Sequence, residues 1–236
     1  VPIKNPALFL QALESISRSH AENPVQGRVI GDGPLRREME ETVRRMGIES
    51  VVSFAGWQDD RKRCYEDLDA VCVTSRNEGT PLTLIEAMAA GRVAVSTAVG
   101  GVGDLLGLKG EIQPGTFQTA DRGLLVRDGD AKGLAAALET LAGDPSLRRR
   151  ISEASARAQA AAMLTMCGMP RCSATCAIDA VWPESKAPTR TCAPSWMRRS
   201  ARVRETSTLD SLSALMISMS TPSISLMTPG ARSAPF

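Results

Sequence analysis

The chain has 236 residues, a formal net charge of +2 and an aromatic content of 3%. A nearly neutral chain argues against a strongly acidic partner, and so few aromatic side chains argue against a base-stacking surface, so we expect no nucleic-acid partner. No apolar run reaches the length that spans a bilayer, which favours a cytoplasmic protein.

Helices and strands are predicted in alternation along the first 160 residues. Asn5 and Pro6 are typical of a helix start, because Asn caps a helix and Pro fits its first position. Further helices are predicted to begin at Pro34, Asp130 and Asp144. Short apolar, β-branched runs predict buried strands at residues 28–30, 51–54, 69–74, 93–95 and 124–126. This alternation is typical of an α/β fold, here a Rossmann-like parallel sheet with helices on both faces.

The most informative segment is 75–91, which connects the predicted strand at 69–74 to a helix that Pro81 begins. Two carboxylates, Glu78 and Glu86, stand eight positions apart, the first on the loop and the second in the second turn of the helix. Backbone amides at a helix start can bind an anion, and the helix dipole favours one there. A ligand with a pyrophosphate between two sugars would satisfy the anion site and both carboxylates, and a nucleotide-sugar is such a ligand.

In its context, EGTPLTLIEAMAAG, this segment resembles the signature of the family 4 (group 1) retaining glycosyltransferases of the GT-B fold. The resemblance covers roughly residues 1–162 and implies the C-terminal, donor-binding domain of such an enzyme. It implies transfer of a hexose from a UDP- or GDP-sugar to an acceptor hydroxyl with retention. The acceptor would be a glycan or a lipid-linked glycan, bound through an N-terminal domain that we expect to be missing. No cofactor and no metal is implied, because the nucleotide-sugar is itself a substrate.

The resemblance also implies roles for named residues. The candidate catalytic residues are Lys4, which would meet the donor phosphates, and Glu78, which would touch the transferred hexose. Glu86 would hold the ribose hydroxyls, and the backbone of Gly79 to Leu82 would meet the diphosphate. All these loops follow strands, so they should converge at one edge of the sheet. The remaining candidate substrate-binding residues are Gly31, Gly33, Trp57, Asn77, Gly79, Thr80, Pro81 and Leu82.

Four glycines leave two explanations open. Gly31 and Gly33 follow the strand at 28–30, and Gly100 and Gly101 follow the strand at 93–95. Relief of a tight turn and direct contact with a ligand explain these glycines equally well.

The chain changes character after residue 162. Residues 163–236 hold four of the six cysteines and seven of the ten methionines, and neither helical nor strand periodicity persists there. The cysteine spacings fit no standard zinc site. We therefore predict two regions: a nucleotide-sugar-binding Rossmann-like domain at 1–162, and an irregular or disordered tail at 163–236 whose composition fits translation in a wrong reading frame.

Two alternatives to the transferase stay open. One is a non-catalytic nucleotide-sugar-binding half domain, because the resemblance covers the donor half of the fold. The other is an isomerase similar to the UDP-sugar 2-epimerases, although the Gly-Thr-Pro turn favours the transferase. We expect the isolated chain to show little or no turnover. Peripheral attachment to the inner face of the membrane is common in the family, and the residues here neither favour nor exclude it.

Overall fold

The computed structural model describes residues 2–19, 25–58, 60, 64–65, 68–167 and 214–218. A 3-10 helix at Pro2–Lys4 comes first. The α-helices are α1 (Pro6–Arg18), α2 (Arg36–Met46), α3 (Leu82–Ala89), α4 (Val102–Leu106), α5 (Ala131–Gly143) and α6 (Pro145–Cys167). The strands are β1 (Gln26–Ile30), β2 (Val52–Gly56), β3 (Ala70–Val73), β4 (Val93–Thr97), β5 (Phe117–Thr119), β6 (Gly123–Val126) and β7 (Ala214–Ser218). None of the helices in these ranges has the length and apolar character needed to cross a membrane.

The seven strands form one sheet in the order β2-β1-β7-β3-β4-β6-β5. The pairs β1–β2, β3–β4 and β4–β6 are parallel, so the Rossmann-like α/β prediction is confirmed, and all five predicted strands are present to within two residues. Two antiparallel strands were not predicted. One is β5, which pairs with β6, and the other is β7, which lies between β1 and β3.

Both faces of the sheet are buried. Successive side chains of a strand point to opposite faces, so in β4 Val93 and Val95 join the larger core beneath α1 and α5, whereas Ala94 packs on the opposite side with α3 and α4. In β3 Cys72 and Val71 divide in the same way. Since helices cover both faces, these strands read as continuous apolar runs instead of alternating ones.

Side-chain capping explains the starts of α5 and α6. Asp130 accepts a hydrogen bond from the N–H of Gly133 at 2.8 Å, and Asp144 accepts one from the N–H of Leu147 at 2.9 Å, so both predicted starts are confirmed. Asn5 differs from the prediction, because its backbone is left-handed (φ 44°) and its side chain caps nothing. The N-terminal boundary of α1 rests instead on Pro6 at its first position.

Two parts of the predicted tail lie within the described structure. The last helix, α6, continues to Cys167, and β7 pairs with strands on both sides. Ile217 is opposite Gly27 of β1 on one side and opposite Ala70 of β3 on the other. Residues 168–213 and 219–236 lie outside the described residues, and low order there stays a prediction. Because β7 bridges β1 and β3, it determines how far apart these two strands lie.

The pairing of β7 can be tested by proline substitution. Met216 is opposite both Arg28 and Val71, and proline in the middle of a sheet removes an N–H donor. We expect Met216→Pro to lower the free energy of unfolding by roughly 1–3 kcal/mol, as expected when buried hydrogen-bonding groups lose their partner. Urea denaturation would measure this change, with Met216→Val as the matched control. Equal stability of the two variants would show that β7 is not paired in the sheet.

Candidate functional site

Most of the predicted site residues follow the carboxyl ends of three strands. Gly31 and Gly33 follow β1, Trp57 follows β2, and Asn77 and Glu78 follow β3. Loops at the carboxyl ends of parallel strands form the usual ligand crevice of an open α/β sheet. The topology therefore brings these residues to one edge, in two groups that β7 separates: the loops after β1 and β2, and the loop after β3.

The structure joins the two candidate catalytic residues directly. The Nζ atom of Lys4 donates a hydrogen bond to Oε1 of Glu78 at 2.7 Å, although 74 positions separate these residues. Their side chains are 32% and 11% exposed, so the ion pair is partly shielded from water. Shielding strengthens a charge-assisted bond compared with an exposed pair. The ammonium has three donors, and Glu78 uses one of them.

Thr74, which the sequence analysis did not select, holds the segment that carries Lys4. Its buried hydroxyl lies 3.0 Å from the carbonyl oxygen of Lys4 and 3.1 Å from that of Asn5, and it donates to both. Two residues on, the N–H of Arg76 donates to the carbonyl of Ile3 at 2.8 Å. The signal that could have found Thr74 is a polar residue at the end of an otherwise apolar strand.

A close contact between two loops fixes the backbone of Glu78. The N–H of Gly101, after β4, donates to the carbonyl oxygen of Glu78 at 3.1 Å. A Cβ atom at Gly100 would overlap that same oxygen, and a Cβ atom at Gly101 would overlap the carbonyl oxygen of Gly79. The close approach of the two backbones therefore explains why both positions are glycine.

The loop between Glu78 and α3 is open to solvent. Gly79 and Thr80 are exposed, and Leu82 is 63% exposed at the first position of α3. Pro81 occupies the N-cap position, so α3 begins at Leu82, one residue later than predicted. The side chain of Pro81 makes no capping bond. The first amides of a helix have no intrahelical partner, so this backbone can serve an anion.

Glu86 lies in the second turn of α3 and is half-buried. Its Oε2 atom accepts a hydrogen bond from the hydroxyl of Tyr65 at 3.0 Å. Tyr65 is 4% exposed and packs against Ile30 and Val71 in a small core cluster. Tyr65 was not among the predicted site residues, because nothing local connects it to a residue 21 positions away.

The loop after β1 lines a cleft at the same edge. Gly31 has a left-handed backbone (φ 118°), which explains the glycine there. Asp32 accepts a hydrogen bond from the N–H of Gly33 at 2.9 Å, and its carboxylate lies 3.6 Å from the guanidinium of Arg36. The pKa of Arg36 is raised, chiefly by its hydrogen bond to Glu40. The remaining residues that line the cleft include Pro6, Val29, Leu35, Met39 and Phe54.

Two further features of the site concern the exposure of Trp57 and the possible ligands of a metal ion. Trp57, after β2, is 52% exposed. Among the residues that the structure describes, no cluster of three or more His, Cys, Asp or Glu side chains could hold a metal ion.

The glycine contact gives a prediction with an internal control. Gly101→Ala would force a Cβ atom onto the Gly79 carbonyl, whereas a Cβ atom at Gly79 itself meets nothing within 4 Å. We expect Gly101→Ala to lower the free energy of unfolding by about 1–3 kcal/mol, the usual cost of overpacking. Gly79→Ala should change it by much less. Chemical denaturation of both variants checks this, and an equal effect of the two substitutions would contradict the close approach.

Comparison with known proteins identifies the family. Residues 1–144 match the model of the family described as glycosyl transferases group 1. The chain is 32% identical over 125 residues to the lipopolysaccharide core biosynthesis glycosyltransferase LpsE of Rhizobium meliloti, an alignment that covers 53% of this chain and 34% of LpsE. The chain spans about a third of the length of the curated relatives it matches.

Solved structures share the fold. The HepE protein of Anabaena, crystallised in complex with UDP, superimposes with a TM-score of 0.55 at 23% identity, over 66% of this chain and 40% of HepE. The C-terminal domain of the group 1 glycosyl transferase LpcC from Francisella tularensis superimposes with a TM-score of 0.54 at 22% identity, over 72% of this chain and 83% of that domain. Because the family model matches more than half of the chain, this protein belongs to the group 1 glycosyl transferases and has the fold of their GT-B C-terminal domain.

Proposed function

We propose that residues 1–162, together with the strand β7 of the same sheet, form the donor-binding domain of a glycosyltransferase that moves a hexose from a nucleotide-diphosphate sugar to an acceptor hydroxyl with retention. The observation that carries this proposal is the ion pair of Lys4 and Glu78, 2.7 Å apart, beside an open loop at a helix start. This arrangement combines a cation, a carboxylate and free backbone amides, which are the groups that a sugar diphosphate needs.

Lys4 acts on the diphosphate in this proposal. When the bond between sugar and phosphate breaks, negative charge develops on the β-phosphate. The ammonium keeps two donors beyond the one that Glu78 uses, and the backbone N–H groups of Gly79, Thr80 and Leu82 add neutral donors. Groups held in place before the reaction stabilise this charge without reorganising, which is the most effective form of electrostatic catalysis.

The two carboxylates bind the two sugars of the donor. Glu78 orients the hexose, and Glu86 accepts hydrogen bonds from the ribose hydroxyls. Each hydrogen bond to a charged carboxylate contributes roughly 1.5–3 kcal/mol. Gly31, Gly33 and Trp57 line the nucleoside end, and Asn77 lies beside Glu78 on the hexose side.

The relatives favour particular substrates. HepE was crystallised with UDP, which supports a UDP-sugar over a GDP-sugar as the donor. LpsE is named for lipopolysaccharide core biosynthesis, which supports a glycan or lipid-linked glycan as the acceptor. We assign acceptor binding to a surface other than the sheet edge formed by the loops after β1, β2 and β3. A lipid-linked acceptor would bring the protein to the inner face of the membrane.

A second candidate function is binding of a nucleotide-sugar without turnover. The observation that favours it is that the loops carrying Gly31, Trp57 and Glu78 all follow strands of one sheet. Incubation of the chain with UDP-sugars, alone and with candidate acceptors, separates the two functions by release of UDP.

The ribose role of Glu86 can be tested by titration. We expect Glu86→Gln to weaken UDP binding about tenfold, which corresponds to 1.4 kcal/mol. Glu49→Gln is the matched control, because Glu49 is exposed and precedes β2 at the opposite edge of the sheet. Calorimetric titration of the full chain measures both, and an unchanged affinity in Glu86→Gln would refute the ribose assignment.

The phosphate role of Lys4 calls for a different comparison. Lys4→Met removes the cation and leaves Glu78 as an unpaired, largely buried carboxylate that repels phosphate. We therefore expect at least a tenfold loss of affinity for UDP and no loss for uridine, which lacks the phosphates. Titration with both ligands checks this, and an equal loss for both would place Lys4 outside the phosphate site.

A further inference from the structure

Tyr65 makes a contact to the candidate site that the roles proposed above do not use. Its hydroxyl donates to Oε2 of Glu86 at 3.0 Å. An ionised carboxylate offers about four lone-pair positions, and this bond takes one of them. One bond from a phenol therefore does not exhaust what a carboxylate can accept, and two vicinal hydroxyls need two acceptor positions.

The core determines where the Tyr65 hydroxyl lies. The ring is buried with Ile30, Leu68 and Val71, and Ala87 of α3 belongs to the same cluster. Ala87 is the neighbour of Glu86 in sequence, so the ring and the helix that carries the carboxylate pack against each other. A tyrosine has few rotatable bonds, which makes a packed ring a stiff support for its hydroxyl.

Glu86 benefits from such a support. Its side chain is half-buried and long, and an unrestrained glutamate loses rotamer entropy when a ligand fixes it. A group that is already held in its binding geometry avoids this cost. The phenol orients the carboxylate and adds no charge of its own, so the carboxylate stays a strong acceptor.

We propose that Tyr65 is a positioning residue for donor recognition, which holds the Glu86 carboxylate so that it receives both ribose hydroxyls of the nucleotide. This inference rests on the ribose role proposed for Glu86. Substitution of Tyr65 should therefore weaken the binding of a nucleotide that has both hydroxyls. It should leave the binding of a nucleotide without them unchanged.

A comparison of two ligands tests this inference. UDP and 2′,3′-dideoxy-UDP are titrated into the full chain, Tyr65→Phe and Glu86→Gln. We expect the unchanged protein to prefer UDP about tenfold and Glu86→Gln to have lost the preference. Tyr65→Phe should bind UDP about three- to tenfold more weakly and bind the dideoxy nucleotide as the unchanged protein does. The phenylalanine ring still fills the cluster, and thermal melting of the variant checks its fold.

The three titrations separate failure of the inference from failure of the ribose role. If Glu86→Gln still prefers UDP like the unchanged protein, the ribose role fails and this inference with it. If Glu86→Gln loses the preference while Tyr65→Phe keeps it, the inference alone is overturned. If Tyr65→Phe weakens the binding of both ligands equally, the role of Tyr65 is purely structural and the inference is also overturned.

A second measurement leaves the side chain in place. Tyr65 is the single tyrosine of the chain, so incorporation of 3-fluorotyrosine labels this residue alone. The fluorine resonance should shift on addition of UDP and stay constant on addition of the dideoxy nucleotide, because only UDP brings hydroxyls to the partner of the phenol. Equal shifts with both ligands, or a shift with neither at saturation, would contradict the proposal.

Discussion

Glu78 is held from two directions, and the rest of the candidate site depends on this constraint. Its carbonyl oxygen receives the N–H of Gly101, and its carboxylate receives the ammonium of Lys4. Lys4 is itself held through the Thr74 hydroxyl at the end of β3. Three segments that are remote in sequence therefore meet at one residue. A change in any of them shifts the charges at the start of α3, which is the point where an anion can bind.

The geometry of α3 relates the two carboxylates to each other. Glu86 lies four residues after Leu82, so it stands about 6 Å along the helix axis from the helix start. Side chains of a helix lean toward its N-terminus, which brings the Glu86 carboxylate back toward the anion position. A diphosphate at the helix start would then have one carboxylate before it and one beside it. This spacing supports the proposed roles, in which Glu78 contacts the hexose and Glu86 contacts the ribose.

Local signals predicted most of the fold and selected the candidate site residues. Buried parallel strands read as short apolar runs, and Asp130 and Asp144 marked their helices, since these features depend on neighbours in sequence. Contacts between distant segments were missed. Tyr65 reaches Glu86 only through the packing of a core cluster, and the steric need for Gly101 depends on a loop more than twenty positions away. The strand β5 has three residues, too few for a periodic pattern, and the pairing of β7 joins segments at opposite ends of the chain.

The width of the candidate site depends on β7, which is far in sequence from the strands β1 and β3 that it separates. Neighbouring strands lie about 4.8 Å apart, so an inserted strand holds β1 and β3 roughly 10 Å from each other. Gly31 follows the first of these strands and Glu78 follows the second, and each belongs to a different group of site residues. The helices α1 and α5 pack together on one face and share a core with both strands, so the two halves also meet outside the sheet. Segment 75–91 therefore supplies both carboxylates of the candidate site. The distance between that segment and the loops after β1 and β2 depends on Ala214–Ser218, a segment without any recognisable site chemistry of its own.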